Sequence, residues 1–485
     1  MEKGAPPPRS LFYLVTVSLF LLIFITSAFL LQFSCSNFNS GAVLRNILVN
    51  ATLPYLRSDA TSEQTESLLS LQTYEGVPLV GEEESNLDFG NGEEPFCHPS
   101  QAKLRVFMYD MSPEFHFALL GWKGKSNRTW PSVDKPGDVP PYPGGLNLQH
   151  SIEYWLTLDL LASTSPNIIR PCTAVRVMDS SEADVVFVPF FSSLSYNRYS
   201  KVEWKGNISV DKMLQGKLVE FLRGRPEWKR TGGKDHIIVA HHPNSLLDAR
   251  NKLGSPIFVL ADFGRYPKEI ANLEKDVIAP YRHVVRTIPS NESAPFEKRP
   301  ILAYFQGAIY RKDGGAIRQE LYYLLKDEKD VHFTFGSAMG NGTRTAGQGM
   351  ASSKFCLNIA GDTPSSNRLF DAIVRHCVPV LISDEIELPF EDVLDYSEFC
   401  VFVHADDAVK PGFVVNLLRG IKRDKWTKMW MRLKEIAHHL EYQYPSKPED
   451  AVHMIWQAIH RKKTLVQTQV HRNKRYLRSQ LFHAG

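Results

Sequence analysis

The residues best suited to chemistry lie in the last third of the chain. Residues 353–393 read SKFCLNIAGDTPSSNRLFDAIVRHCVPVLISDEIELPFEDV. The apolar run 355–359 ends at Ala360-Gly361-Asp362, and Thr363 and Pro364 then suit the N-cap and first position of a helix. The spacing predicts that helix over roughly 365–376. Arg368, Asp371 and Arg375 share one face of it, and Leu369 and Ile373 share a neighbouring apolar face. A Gly-containing strand-to-helix turn beside an arginine offers N–H groups and positive charge to a phosphate. The next apolar run, 378–383, leads into Asp384-Glu385-Ile386-Glu387-Leu388-Pro389-Phe390. In open α/β sheets ligands bind outside the carboxyl ends of the strands. Glu387, whose backbone is held by the Leu-Pro-Phe after it, is the candidate acceptor for two ribose hydroxyls. Glu385, Glu391 and Asp392 read as solvated charges.

A second cradle follows the run 301–305. Gln306-Gly307-Ala308-Ile309-Tyr310-Arg311-Lys312-Asp313-Gly314-Gly315 is a Gly-rich, doubly basic loop, and the helix after it carries Arg318. Such loops bind anions through successive N–H groups. Gly307, Arg311, Lys312 and Arg318 therefore join Gly361, Arg368 and Glu387 as a candidate nucleotide-binding set. Neither a Walker A motif nor G-x-G-x-x-G occurs, so P-loop and nicotinamide chemistry lack support. Loops that follow strands also carry candidates for acid-base chemistry. His242, in the His-His-Pro-Asn that follows the run 236–240, suits near-neutral pH with little tuning. Asp110, after 104–109, and Asp262, after 257–261, stand behind it. No D-x-D and no C-x-x-C occurs, and no metal site or cofactor is expected. His438-His439 reads as helix surface.

These residues need a scaffold. Apolar runs at 104–109, 183–191, 236–240, 257–261, 301–305, 355–359, 378–383 and 399–403 alternate with helical patterns at 211–224, 315–326, 366–376, 424–442 and 446–463. Near-continuous apolar strands separated by helices indicate parallel sheets covered on both faces, hence an α/β fold. Residues 287–300, rich in Pro and charge, read as the linker between two such units. Ser446-Lys447-Pro448-Glu449 has the form of a capping box opening the last helix.

The whole chain has 485 residues, 43% hydrophobic and 22% charged, which excludes a disordered scaffold. The 30 Gly and 30 Pro carry no triplet period, so collagen is excluded. A net charge of +3 argues against a dedicated nucleic-acid partner. Residues 11–33 are almost wholly apolar and long enough to span a bilayer, and Lys3 and Arg9 precede them. The expectation is a single-pass type II anchor (11–33) with a cytosolic tail (1–10) and everything after it in a lumen. Residues 34–98 form an acidic stem, with ten acids and no Lys or Arg over 58–98. The body after residue 98 holds 52 bases against 42 acids, a charge of +10 that suits an anionic ligand. Sequons at Asn50, Asn127, Asn207, Asn291 and Asn341 fit glycosylation in a lumen. The six Cys fit it too, although their spacing does not fix their pairing.

The motifs together resemble the exostosin-like glycosyltransferases of family 47. SKFCLNIAGDTPSSNRLFDAIVRHCVPVLISDEIELPFEDVLDYSEF is similar to the signature of that family. FQGAIYRKDGGAIRQEL, ADVVFVPFFSSLS, FVLADFGR and KDVIAPYRH look like further motifs of its plant branch, and specifically of the arabinosyltransferase-like clade linked to pectic arabinan. The resemblance covers roughly residues 104–460. It implies a type II Golgi membrane enzyme with two Rossmann-like domains facing a cleft, the GT-B type. The N-terminal acceptor-side domain would span 99–290 and the C-terminal nucleotide-sugar-binding domain 291–463, with a basic tail at 464–485. It further implies inverting, metal-independent transfer from a UDP-sugar to a cell-wall polysaccharide. Arg368 and Asp371 match the family's donor-contacting residues, Glu387 its E-L-P-F glutamate and Arg318 the arginine after its Gly loop. His242-Pro243 departs from the His-Asp pair of many plant members. Galactosyl or xylosyl transfer onto xyloglucan or xylan stays open, as does a non-catalytic partner of another transferase.

Overall fold

Short apolar runs become strands buried on both faces. β1 (Leu104–Met108) is followed by α1 (Ile152–Ala162), β2 (Ala174–Val177), β3 (Val185–Val188) and α2 (Ser192–Tyr199). A hairpin of β4 (Glu203–Lys205) and β5 (Ile208–Ser209) turns through Gly206 and Asn207, both at positive φ. Then come α3 (Val210–Gly224), α4 (Pro226–Thr231), β6 (His236–Val239), β7 (Ile257–Leu260) and β8 (Val277–Ile278). These strands build a six-stranded sheet in the order β2-β1-β3-β6-β7-β8. Every pairing in it is parallel.

The second half repeats the scheme. It contains β9 (Ile301–Gly307), α5 (Ala316–Leu325), β10 (Val331–Phe335), α6 (Gly342–Ala351), β11 (Ser353–Ile359), α7 (Arg368–Val374), β12 (Val378–Ile382) and β13 (Val401–Val403). The helices α8 (Ala405–Ala408), α9 (Phe413–Gly420), α10 (Arg423–Ile436) and α11 (Ala451–Phe482) close the chain. The sheet order is β10-β9-β11-β12-β13, again all parallel. All residues of β3, β6, β7 and β12 are buried, as parallel strands covered by helices must be. The chain is thus α/β with parallel sheets.

This computed structural model describes residues 97–124, 128–311, 315–336 and 341–482. The expected tail, span and nearly all of the stem lie outside them, as do Lys312, Asn50 and Asn127. Among the described residues no helix is long and apolar enough to cross a membrane. The sequons Asn207, Asn291 and Asn341 are all exposed. Disulfides join Cys97 to Cys172 and Cys356 to Cys377, and Cys400 is a buried free thiol.

Three local expectations are corrected. The helix expected from about 365 starts at Arg368 and has seven residues. Thr363 does not cap it; its carbonyl instead accepts the Gly361 N–H at 3.0 Å. The last helix starts at Ala451 and not at a capping box: the Asp450 carboxylate accepts Lys447 N–H at 2.7 Å and His453 N–H at 2.9 Å. It then runs unbroken to Phe482 and returns to the first sheet, where buried Trp456 donates to Asp159 of α1 at 2.9 Å and Lys463 pairs with Asp184 at 2.9 Å. Residues 287–300 are a packed crossing. Arg299, fully buried, donates to the carbonyls of Ala294, Met350 and Ser353.

Candidate active site

The order of each sheet reverses once, between β1 and β3 and between β9 and β11. At such a point the connections leave in opposite directions and open a crevice beyond the strands' carboxyl ends. Gly307 ends β9 and Arg311 follows it, Gly361 follows β11, and Arg318 and Arg368 reach the same place from α5 and α7. Arg318 is 2% exposed and donates to the carbonyls of Ala308 (3.2 Å), Ile359 (2.7 Å) and Ala360 (3.0 Å). It ties the ends of β9 and β11 together. Arg368 donates to Gln306 O at 3.0 Å and Ser366 Oγ at 2.8 Å. Both guanidinium groups stand over the Phe305 ring, at 5.7 and 5.0 Å. A Cβ on Gly361 would lie 2.6 Å from Arg318 Nη2, and one on Gly307 would lie 2.8 Å from Arg368 Cζ. A side chain at either place would force the arginine to shift.

Burial and like charge outweigh the acids near these cations. Burial, then the charges of Arg368 and Arg311, push Arg318 down to about 8. Burial, then Arg311, pushes Arg368 to about 10, with Asp371 opposing. Arg311, more exposed, has Asp362 at 3.0 Å. An anion placed among the three would relieve the repulsion. With α7 only seven residues long, the positive charge here comes from side chains and not from a helix end.

Asp371 is occupied elsewhere. Its Oδ1 accepts Val284 N–H at 2.8 Å and Val285 N–H at 3.3 Å, and its Oδ2 accepts from Asn367 Nδ2 at 2.8 Å. It clasps α7 to the segment crossing between the sheets, and burial raises it to about 6. Arg375 likewise holds the carbonyls of Gly347 and Arg286. Glu387 lies beyond the end of β12, half-buried and without a hydrogen bond among the described residues. Burial and then Glu391 raise its pKa. It keeps both carboxylate oxygens for a ligand.

The three base candidates fare unequally. His242 Nδ1 accepts Asn244 N–H at 3.1 Å, which leaves the proton of the neutral ring on Nε2. Burial lowers it to about 4, so the ring is neutral and its Nε2 is a donor, not the base expected from its place after β6. Asp262, 5% exposed, spans to the second sheet: it accepts from Ser365 Oγ and N–H, and from Gly264 N–H at 2.9 Å. Its lone pairs serve this clasp. Asp110 is exposed beyond β1, with Oδ1 held by Trp130 Nε1 and Arg176, both at 2.7 Å.

Residues 100–418 match the Exostosin GT47 domain. The chain belongs to the exostosin GT47 family. This GT47 member is a glycosyltransferase, 39% identical over 383 residues to "Probable arabinosyltransferase ARAD1" of Arabidopsis thaliana, covering 78% of this chain and 82% of that protein. It is 29% identical over 328 residues to a probable glucuronoxylan glucuronosyltransferase of the same plant, covering 59% of this chain and 64% of that one. A crystal structure of Anabaena HepE in complex with UDP and glucose aligns with 73% of this chain and 98% of its own, at 10% identity and a TM-score of 0.33.

Sequence reasoning missed the residues that join the two halves. Tyr281 and Ser365 meet at 2.9 Å, and Tyr281 stacks on Phe370 with ring centroids 5.6 Å apart. Tyr281 lies in the KDVIAPYRH motif, but its partner is 84 residues away, so the motif does not reveal the contact.

Proposed function

We propose that this GT47 member is an inverting, metal-independent transferase that moves a sugar, arabinose, from a UDP-sugar to a pectic arabinan. The observation that carries the reading is the cluster Arg311, Arg318 and Arg368 at the β9/β11 crevice, whose buried members are depressed first by burial and then by neighbouring cations, Arg318 by Arg368 and Arg311, and Arg368 by Arg311. A diphosphate supplies the missing counter-charge, and the same cations stabilise the UDP leaving group as charge builds on it. Glu387 takes the ribose hydroxyls. The first sheet's crevice faces the acceptor, in the manner of a GT-B enzyme. The choice of arabinose and arabinan rests on the likeness to the arabinosyltransferase named above.

The same reading puts the enzyme in the Golgi membrane. The apolar segment 11–33 is its anchor and 34–98 its stem. Two disulfides and three exposed sequons suit an oxidising, glycosylating lumen. The test is transfer by the full chain in detergent from a panel of UDP-sugars to arabinan, xylan and xyloglucan oligomers. The reading expects UDP-arabinose with arabinan to turn over fastest. Turnover with a different pair reassigns the substrates, and no turnover with any pair overturns the reading.

A further inference from the structure

His150 lies at the end of a short helical segment, Gly145–His150, one residue before the N-cap of α1. The ring is 3% exposed and packs against His241, His242 and Tyr281, with centroids 5.1, 4.6 and 5.0 Å away. Two hydrogen bonds settle which nitrogens carry protons. His241 Nε2 lies 3.1 Å from the carbonyl of Ala279, which can only accept, so Nε2 holds the proton. Burial pulls His241 down to about 3, so the ring is neutral and its Nδ1 is a lone pair. His150 Nδ1 stands 2.9 Å from that Nδ1 and must be the donor. Burial also keeps His150 neutral, its pKa lying well below the ordinary value. Its own lone pair is therefore on Nε2. That atom has no partner among the described residues, and it is not among the sealed, unpaired ring nitrogens, which include His116 Nδ1 and His376 Nδ1. A carbonyl and two imidazoles thus leave the Nε2 lone pair without a hydrogen bond among the described residues, on a ring that is nearly buried but not sealed at that atom.

That ring is linked to the candidate phosphate cradle through Tyr281. Tyr281, against His150, reaches Ser365, three residues before Arg368. The Gln149 carbonyl accepts Arg282 N–H at 3.1 Å, which fixes His150 to the segment crossing between the sheets. The titratable groups facing the ring are His241 and His242 from the loop after β6, Tyr281 from the crossing segment and, beyond His242, Tyr196 of α2. No carboxylate or cation among the described residues hydrogen-bonds it.

We propose that His150, through Nε2, is the general base that takes the proton of the attacking acceptor hydroxyl. The assignment rests on the transfer reaction proposed above. As the acceptor oxygen bonds the anomeric carbon, its proton passes to Nε2. The bond from that carbon to the diphosphate oxygen breaks, and its electron pair leaves on the nucleoside diphosphate. The imidazolium keeps its Nδ1–H on His241, on the face of the anomeric carbon opposite the leaving diphosphate.

The experiment uses the full chain in detergent, UDP-arabinose and an arabinan oligomer. Loss of a general base lowers kcat by roughly 10²–10⁴-fold, so His150→Gln should fall in that range while its affinity for UDP stays at the wild-type value. A second readout does not depend on the variant folding. Diethyl pyrocarbonate attacks unprotonated imidazole, so in the wild-type chain His150 should be labelled equally at pH 6 and pH 7.5 and protected by UDP with acceptor. A His150→Gln enzyme with near wild-type kcat, or a His150 that resists label while exposed His404 reacts, overturns the assignment. A wild-type chain that turns over no UDP-sugar overturns the transfer reading itself, a different failure from a working enzyme indifferent to His150.

Discussion

Gly361 packs directly against the Arg318 guanidinium, so close that a Cβ would stand 2.6 Å from its Nη2 and 3.0 Å from its Cζ. Arg318 cannot retreat without giving up the carbonyls of Ala308, Ile359 and Ala360. Gly361→Ala is expected to cost about 1–3 kcal/mol of stability by overpacking. It should also weaken UDP binding, because the loops after β9 and β11 separate. Urea denaturation and a UDP titration of the same variant check both effects.

Asp371 acts as a clasp, and its variants should show it. Asp371→Ala leaves the Val284 and Val285 N–H groups without their acceptor and is expected to cost about 3 kcal/mol. Asp371→Asn keeps an acceptor oxygen and should recover most of that loss. The pH dependence has a definite sign. Burial raises the native carboxyl from 3.8 to about 6, so the native state binds the proton more tightly than the unfolded chain. This contribution is present in full below pH 3.8 and is lost as pH rises through 6, at about 1.4 kcal/mol per pH unit inside the window. The difference in unfolding free energy between wild type and Asp371→Asn, followed from pH 4 to 7, isolates it. A flat difference contradicts the assignment.

The Cys356–Cys377 disulfide ties β11 to the residue just before β12, behind the donor cradle, and closes a loop with a sequence separation of 21. Cross-linking a loop of that size contributes about 3 kcal/mol by restricting the unfolded chain. The double variant Cys356→Ser/Cys377→Ser should lower the denaturation midpoint accordingly. Reduction of the wild-type protein should lower it at least as far, because Cys97–Cys172 is reduced too.

The sheets were legible where both faces of a strand are buried. The runs at 301–305, 355–359 and 378–383 are unbroken because helices cover each side of β9, β11 and β12. β2 escaped notice because Arg176 interrupts a four-residue strand, its charge met by Asp110 from beyond β1. α1 escaped for the opposite reason: all eleven of its residues are buried, so it has no polar face for a helical period to reveal. His150, placed just before α1, was lost with it. The arginines were visible as types and positions, but their division of labour was not. Arg318 is bound to backbone carbonyls, and Asp371 to backbone N–H groups 86 and 87 residues away, which no side-chain pattern records. His242 was chosen for its place after a strand, and one hydrogen bond from Asn244 reverses the chemistry of that ring.

The central claim is that Arg311, Arg318 and Arg368 hold a nucleoside diphosphate at the β9/β11 crevice. Its most direct test is calorimetric titration of UDP into the full chain and into Arg368→Ala, at low and high salt. Charge-assisted bonds to phosphate are worth about 1.5–3 kcal/mol, so Arg368→Ala should weaken UDP roughly 10–100-fold and reduce the salt dependence. Unchanged UDP affinity in Arg368→Ala, in a variant that unfolds like wild type, would contradict the account.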